Sequence, residues 1–410
     1  MKINLQDQIF YLLFVISLFI SFYFGENSSG GSEIDNIITE PYVKDFNNGF
    51  FYGIKSFIET GQIHSPIFYF LISILRKIIN SEFLNILYVL LSSIIPFIFY
   101  KILSIKFNRI NKRYIFFLSL IIFLSPYFRS SSSWLTNENL SLIFFCLSIF
   151  YFLKSKQREM KSNLEIYLCF IFLSLSAYIR QYYGLFLIIY LIELIRTKNK
   201  FLILKCLFLN IILSIPFLIY MFFYIKYQGE IIRSPNPTSN SFFENIPFVL
   251  SIIIFYISIF LLSLNLNYLK IKKLVYKNYE KIFIITLSYV IFLFFLNSED
   301  YMFGGGIIYK IGSFLNSGIL ITYIFSVISL IVIFLLINKN INNFLIIVIL
   351  CIISYEMVYQ KYYDPLIFII FLTLIDSKKI DFAINKELFN IKKLFIIKTI
   401  FLISCNLYYI

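Results

Sequence analysis

Charge, paired cysteine and histidine are all scarce in this chain. Only 14% of its 410 residues are charged, while 60% are hydrophobic and 20% aromatic, and the mean hydropathy is +0.83. That balance excludes a soluble domain, because the apolar residues recur as long runs along the whole chain. The five cysteines, Cys146, Cys169, Cys206, Cys351 and Cys405, fall singly inside apolar runs with no CxxC spacing, so they read as plain core residues. No internal repeat of spans is visible. Histidine occurs once, at His64. The abundance of Ile, Phe, Lys, Asn and Tyr reflects AT-rich coding and carries no function.

Apolar segments of roughly 14 to 24 residues divide the chain into about thirteen spans. They lie near 8–24, 83–103, 114–128, 138–153, 164–179, 182–195, 202–224, 246–264, 281–297, 314–336, 343–359, 363–375 and 394–409. The expected fold is an all-α polytopic membrane protein, one integral membrane domain over 1–410. A single helix over 164–195 would be about 48 Å long against a hydrocarbon core of about 30 Å, so a hairpin turning at Arg180 is expected.

The basic residues test this partition. With the N-terminus cytoplasmic, inner loops carry Lys101, Lys106, Arg109, Lys112 and Arg113, then Lys154, Lys156, Arg158 and Lys161, then Arg196, Lys198 and Lys200. Lys270, Lys272, Lys273 and Lys277 follow, and finally Lys378, Lys379, Lys386, Lys392 and Lys393. Lys and Arg in short loops stay in the cytoplasm. The net charge of +14 is therefore a topology signal, and nucleic acid is excluded as a partner. In a bacterium the location is the plasma (inner) membrane.

The longest outer loop is the first, about 25–82. It opens with "ENSSGGS", a flexible composition. It then turns amphipathic, with Phe46, Phe50, Ile54, Phe57 and Ile58 on one helical face, which suits a helix lying in the membrane interface. Gly61 is a helix stop, and Ser65-Pro66 reads as an N-cap followed by proline at the first helical position. Arg76 and Lys77 fall on the outer side and run against the charge rule. His64 is either a turn residue between two interfacial helices or a hydrogen-bonding group or base facing an outer cavity.

Ionisable residues recur at other outer turns: Arg129 and Glu138, Arg180, Arg233, Glu299, Asp300 and Lys310, and Glu356, Lys361 and Asp364. Arg180 has little access to bulk water in its short hairpin and needs an anionic partner. Carboxylates and guanidinium groups at one face suit a reaction on a lipid phosphate, in which cations hold the phosphate and a carboxylate activates a hydroxyl.

The order of first span, acidic outer loop and His64-Ser65-Pro66-Ile67-Phe68-Tyr69 resembles the GT-C glycosyltransferases that use polyprenyl-phosphate sugars. "LSPYFRSSSSWLTNENL" resembles that family's Ser-Pro motif leading to an acidic residue, here Glu138. "SAYIRQYYGLF" is similar to the Phe-Arg-Gln segment of the dolichyl-phosphate-glucose-dependent α-1,2-glucosyltransferases, matching Arg180 and Gln181. "QKYYDPLIFI" is similar to a late Arg-Tyr segment, with Lys361 and Tyr362 in its place. Two departures stand out: the first loop has no clean Asp-Glu or Asp-x-x-x-Tyr copy, and an Asp-Asn-Arg-His-Tyr segment is missing.

The resemblance implies an inverting glycosyltransferase acting at the outer face. It would move a sugar from a polyprenyl-phosphate donor to a glycan or lipid-linked acceptor, with membrane lipid around it. A first-loop acid would be the base. Counting back from Gly61 favours Asp45, and counting back from Pro66 favours Glu40 or Asp35; Asp45 is the expected choice. His64, Arg180 and Gln181, with Lys361, Tyr362 and Arg233, would bind the donor. A divalent cation, Mg or Mn, is compatible, with Glu138 and Asp45 as oxygen ligands. Two rivals differ in organisation. A lipid-linked oligosaccharide flippase typically shows an internal repeat, and an O-antigen-type polymerase or ligase carries its largest outer loop late in the chain.

Overall fold

The computed structural model describes residues 4–60, 65–160, 163–197, 199–228, 241–264, 275–296, 298, 300–301, 304–354 and 357–409. Among the described residues there is no strand, only one isolated antiparallel bridge between Leu264 and Phe389. The helices run in the order α1 (Leu5–Tyr23), α2 (Ser32–Asn47), α3 (Phe50–Glu59), α4 (Ile67–Ile78), α5 (Ser81–Lys106), α6 (Lys112–Leu120), α7 (Pro126–Ser133), α8 (Asn137–Gln157), α9 (Asn163–Ile179), α10 (Leu187–Arg196) and α11 (Lys200–Gln228). They continue as α12 (Phe242–Ser263), α13 (Tyr279–Phe294), α14 (Gly306–Phe314), α15 (Gly318–Leu336), α16 (Ile341–Ile352), α17 (Leu366–Thr373), α18 (Lys378–Asn385) and α19 (Ile391–Tyr409).

Six of these, α1, α5, α8, α11, α12 and α15, are long and apolar enough to cross a membrane. A seventh span results if α6, its 3-10 extension Ile121–Leu124 and α7 count as one helix bent by 64°. The count of thirteen spans is not confirmed among the described residues. α19 has 19 residues but carries Lys392, Lys393 and Lys398, and the remaining segments are short: α9 has 17 residues, α10 has 10, α13 has 16, α16 has 12 and α17 has 8. At 1.5 Å per residue these reach roughly 12 to 26 Å, short of a core of about 30 Å.

The chain divides into two compact units. The first holds Met1–Asn108, Ile115–Ser234 and Thr399–Ile410, and the second holds Arg109–Tyr114 and Pro235–Lys398.

In the first unit α8 and α9 are antiparallel, and their contacts run in opposite directions along the chain. Ser176 donates to the Ser141 carbonyl at 2.8 Å near one end, and Lys154 and Arg158 reach Glu165 at 3.0 and 2.8 Å at the other. The chain then reverses through a 3-10 turn, Gln181–Phe186. α10 runs back along α8, with Tyr190 stacked on Phe152 at 4.4 Å and Lys156 at 3.6 Å from Glu193. The hairpin at Arg180 is therefore present.

The first-loop helices α2, α3 and α4 pack on one another over the N-terminal turns of α5. Tyr42, Val43, Phe46, Ile54, Phe57, Ile58, Phe68, Tyr69 and Ile72 form the core there with Leu84 and Tyr88, and Leu135 and Ile179 close it. The amphipathic stretch is two helices rather than one. Gly49, at φ 142°, turns the chain between α2 and α3, so Phe50 leaves the apolar face and is 44% exposed. α4 starts one residue later than the cap reading expects: Pro66 flanks it, and the Ile67 N–H reaches Ser65 Oγ at 3.4 Å. Arg76 pairs with Glu40 at 2.6 Å, and Lys77 donates to the Asn47 carbonyl at 3.3 Å. The two cations that break the charge rule are thus held by partners on α2. Gly61, proposed as the helix stop, lies outside the described residues.

Candidate functional site

One set of polar groups in the first unit gathers where α8 begins and α9 finishes. Glu138 stands in the first turn of α8, and Arg180 follows directly on the last residue of α9. Negative charge is favoured at a helix N-terminus and positive charge at a C-terminus, so antiparallel packing brings complementary charges together. They form a buried ion pair, Arg180 Nη2 to Glu138 Oε1, with side-chain exposures of 4% and 15%.

A tyrosine frame fixes the α8 end of this pair. The Tyr88 hydroxyl donates to the Thr136 carbonyl and accepts the Leu140 N–H at 3.3 Å. Thr136 and Ser131 share a hydrogen bond of 2.6 Å. Asn139, one residue on from Glu138, donates to Phe128 O at 3.0 Å, Ser132 Oγ at 2.9 Å and Ser92 Oγ at 3.1 Å. The corner between α7 and α8 is held from three directions, which limits where the Glu138 carboxylate can go.

The first loop completes the surroundings. Tyr69 on α4 is buried, with its ring 5.7 Å from Tyr42 and 5.1 Å from Phe57. Burial raises its hydroxyl to about 12, against the opposing pull of the Arg180 charge, while Glu138, Asp35 and Tyr42 push it the same way as burial. The phenol therefore stays protonated at neutral pH. The Asp35 charge thus acts on the same hydroxyl as the pair does. Asp35 lies on the inward face of α2 because Thr39, Tyr42 and Phe46, all buried, fall within about 40° of it on a helical wheel.

Asp45 and Glu40 sit elsewhere on α2, about 80° and 140° round from Asp35. Asp45 accepts a hydrogen bond of 2.5 Å from Ser56, which clips α2 to α3, and Glu40 is the partner of Arg76. The acid favoured from spacing is thus used in a helix-to-helix contact, while Asp35, whose N-terminal neighbours have a flexible composition, acts electrostatically on Tyr69. Those neighbours are held too. Ser28 donates to Pro126 O at 2.8 Å, Ser29 and Ser130 share a bond of 2.9 Å, and Trp134 donates to Glu26 O at 3.0 Å. Glu26 itself is gripped by Arg129 at 2.9 Å.

Of the other candidates, Gln181 opens the 3-10 turn beside Arg180. Lys361 and Tyr362 belong to the second unit, in a 3-10 turn where the Lys361 ammonium lies 5.5 Å over the Tyr359 ring and 6.0 Å over that of Tyr362. His64, Arg233, Glu299 and Glu356 lie outside the described residues. No group of three or more His, Cys, Asp or Glu that could hold a metal converges among the described residues. The two carboxylates named as cation ligands, Asp45 and Glu138, are engaged with Ser56 and Arg180 respectively.

Sequence reasoning passed over Tyr42 and Tyr88, and gave Tyr69 only a place in the motif that follows His64. The signal for the first was present as the spacing Asp35, Thr39, Tyr42, Phe46, a helical stripe with an acid at its head. Tyr88 carried none, since its partner is a backbone carbonyl 48 positions away. No protein-family model, curated protein or solved structure matches the chain.

Proposed function

We propose that this protein is a membrane glycosyltransferase of the GT-C type. It moves a sugar from a polyprenyl-phosphate donor to a lipid-linked glycan or other acceptor at the outer face, with inversion. The observation that carries the reading is the Glu138–Arg180 pair, whose charges, together with that of Asp35, act on the buried Tyr69 hydroxyl.

In this reading Asp35 takes the proton from the acceptor hydroxyl, whose oxygen attacks the anomeric carbon as the polyprenyl phosphate departs. Arg180 neutralises the phosphate through its planar fork. Glu138 holds that fork in place, and Tyr69 offers a neutral O–H donor. Mg or Mn is a compatible addition.

The test is incubation of purified protein with radiolabelled polyprenyl-phosphate sugars, with and without Mg or Mn. Release or transfer of label by wild type, abolished in Arg180→Ala at equal expression, is the expected result. No turnover of any hexosyl or pentosyl donor, with transbilayer movement of a lipid-linked oligosaccharide instead, would replace the transferase by a flippase.

A further inference from the structure

The second unit carries a basic surface that the proposed reaction does not use. Residues Arg109–Tyr114 and the stretch from Lys386 to Lys393 are far apart in sequence and meet in space. The Asn111 N–H reaches Glu387 Oε1 at 3.4 Å across 276 positions, and the Tyr114 hydroxyl donates to the Phe389 carbonyl at 3.4 Å. Asn111 and Asn390 begin two helices there: Asn111 Oδ1 accepts the Arg113 N–H at 2.9 Å, and Asn390 Oδ1 accepts the Lys393 N–H at 3.1 Å.

The union sets Arg109, Lys112 and Arg113 beside Lys386, Lys392 and Lys393. All six are exposed except Lys112, which is half-buried. Glu387, the one carboxylate within these two stretches, accepts the Asn111 N–H. Just upstream, α18 buries Ile380, Ala383 and Ile384 and turns Phe382 outward at 57% exposure, and Leu388 is 38% exposed. Cations interleaved with outward apolar side chains, at the foot of two apolar helices, are the chemistry of a surface that meets anionic lipid.

We propose that this face binds the anionic phospholipid headgroups of the leaflet from which α6 and α19 depart, with Phe382 and Leu388 seated at the acyl boundary. The sequence shows two separate basic loops. Only their pairing concentrates six cations on one patch, and nothing in the proposal depends on the transferase reading.

The experiment uses full-length protein in detergent, offered equal amounts of phosphatidylglycerol and phosphatidylcholine, with retained lipid counted by native mass spectrometry. Each basic residue near an anionic surface contributes about a fivefold change in affinity. Wild type should therefore retain phosphatidylglycerol over phosphatidylcholine by on the order of tenfold or more, a preference that about 0.5 M salt weakens. Lys386→Gln/Lys392→Gln/Lys393→Gln should bring it close to parity. Arg109→Gln/Arg113→Gln, on the other segment, should lower it as well, because the two segments act as one surface. Equal retention of both lipids by wild type, or a preference that survives both sets of substitutions, overturns the proposal.

Discussion

The two ends of the first unit use the same residue types to different effect. At one end two guanidinium groups are withdrawn from solvent, each with one carboxylate: Arg180 with Glu138, and Arg129 with Glu26. At the other end two cations share each carboxylate, Lys154 and Arg158 on Glu165, and Lys156 and Arg196 on Glu193. There the acids are buried and the cations reach solvent. Exposed cations in excess mark the side on which a loop is retained, whereas desolvated one-to-one pairs are costly to keep and point to structure or chemistry. Among the buried pairs a second contrast holds. Arg129 is bound by Glu26, Ser17 Oγ and the Ser17 and Phe123 carbonyls, a set of fixed local groups. Arg180 is held by Glu138 and acts electrostatically on Tyr69 of the first-loop helix α4.

The broadest test of the contrast between ends is all-or-none. In a cysteine-free background, Asn48→Cys on the first loop should react with an impermeant thiol reagent in intact cells, and Asn108→Cys should not. Both positions are exposed. The reverse pattern would invert the topology and the active-site face together.

Next in size is the base. Asp35→Asn keeps volume and removes basicity, so turnover should fall by roughly 10²- to 10⁴-fold with donor binding retained. Asp45→Asn and Glu40→Gln should change turnover little and cost at most about 1 kcal/mol each through lost helix-to-helix contacts. A dead Asp45→Asn beside an active Asp35→Asn would return the role to Asp45.

The two guanidinium pairs should separate by readout. Arg129→Ala leaves Glu26 buried without its cation and should cost about 3 to 5 kcal/mol, seen as a lower thermal midpoint in detergent. Arg180→Ala should weaken donor binding at normal expression, and Arg180→Lys should restore only part of it. If both lose stability equally and neither alters donor binding at equal folded protein, the pairs are equivalent and the site lies elsewhere.

The clamp also has a pH signature. Burial acts to raise the Glu26 carboxyl, yet the Arg129 charge and hydrogen bonds from Arg129, Ser21 and Ser28 outweigh it and hold it below the usual carboxylate range. A carboxyl depressed in the folded state contributes stability that is present above its unfolded value and lost as pH falls through its folded one. Acidification through that window should lower the thermal midpoint of wild type, and Glu26→Gln should lose part of that dependence.

The smallest effect belongs to the opposite end. Glu165→Gln keeps a buried polar group beside two exposed cations and should cost about 1 kcal/mol with turnover unchanged, by thermal melt and transfer assay. A large loss of turnover there would erase the distinction between the ends.

Composition and hydropathy alone determined that the chain is helical and membrane-embedded, because the bilayer admits apolar runs only as structures that satisfy their own backbone. Spacing also determined the Arg180 hairpin, since one helix of that length does not fit the bilayer. The number of spans was not legible, because an apolar run reads the same whether its helix crosses the membrane or packs as a shorter piece inside the bundle. What each first-loop acid meets was not legible from distance along the chain, since α2 turns about 100° per residue and Asp35, Glu40 and Asp45 point to three different neighbours. The tertiary structure decided that through Ser56, Arg76 and Tyr69, side chains brought within reach of α2 only when the loop folds on itself.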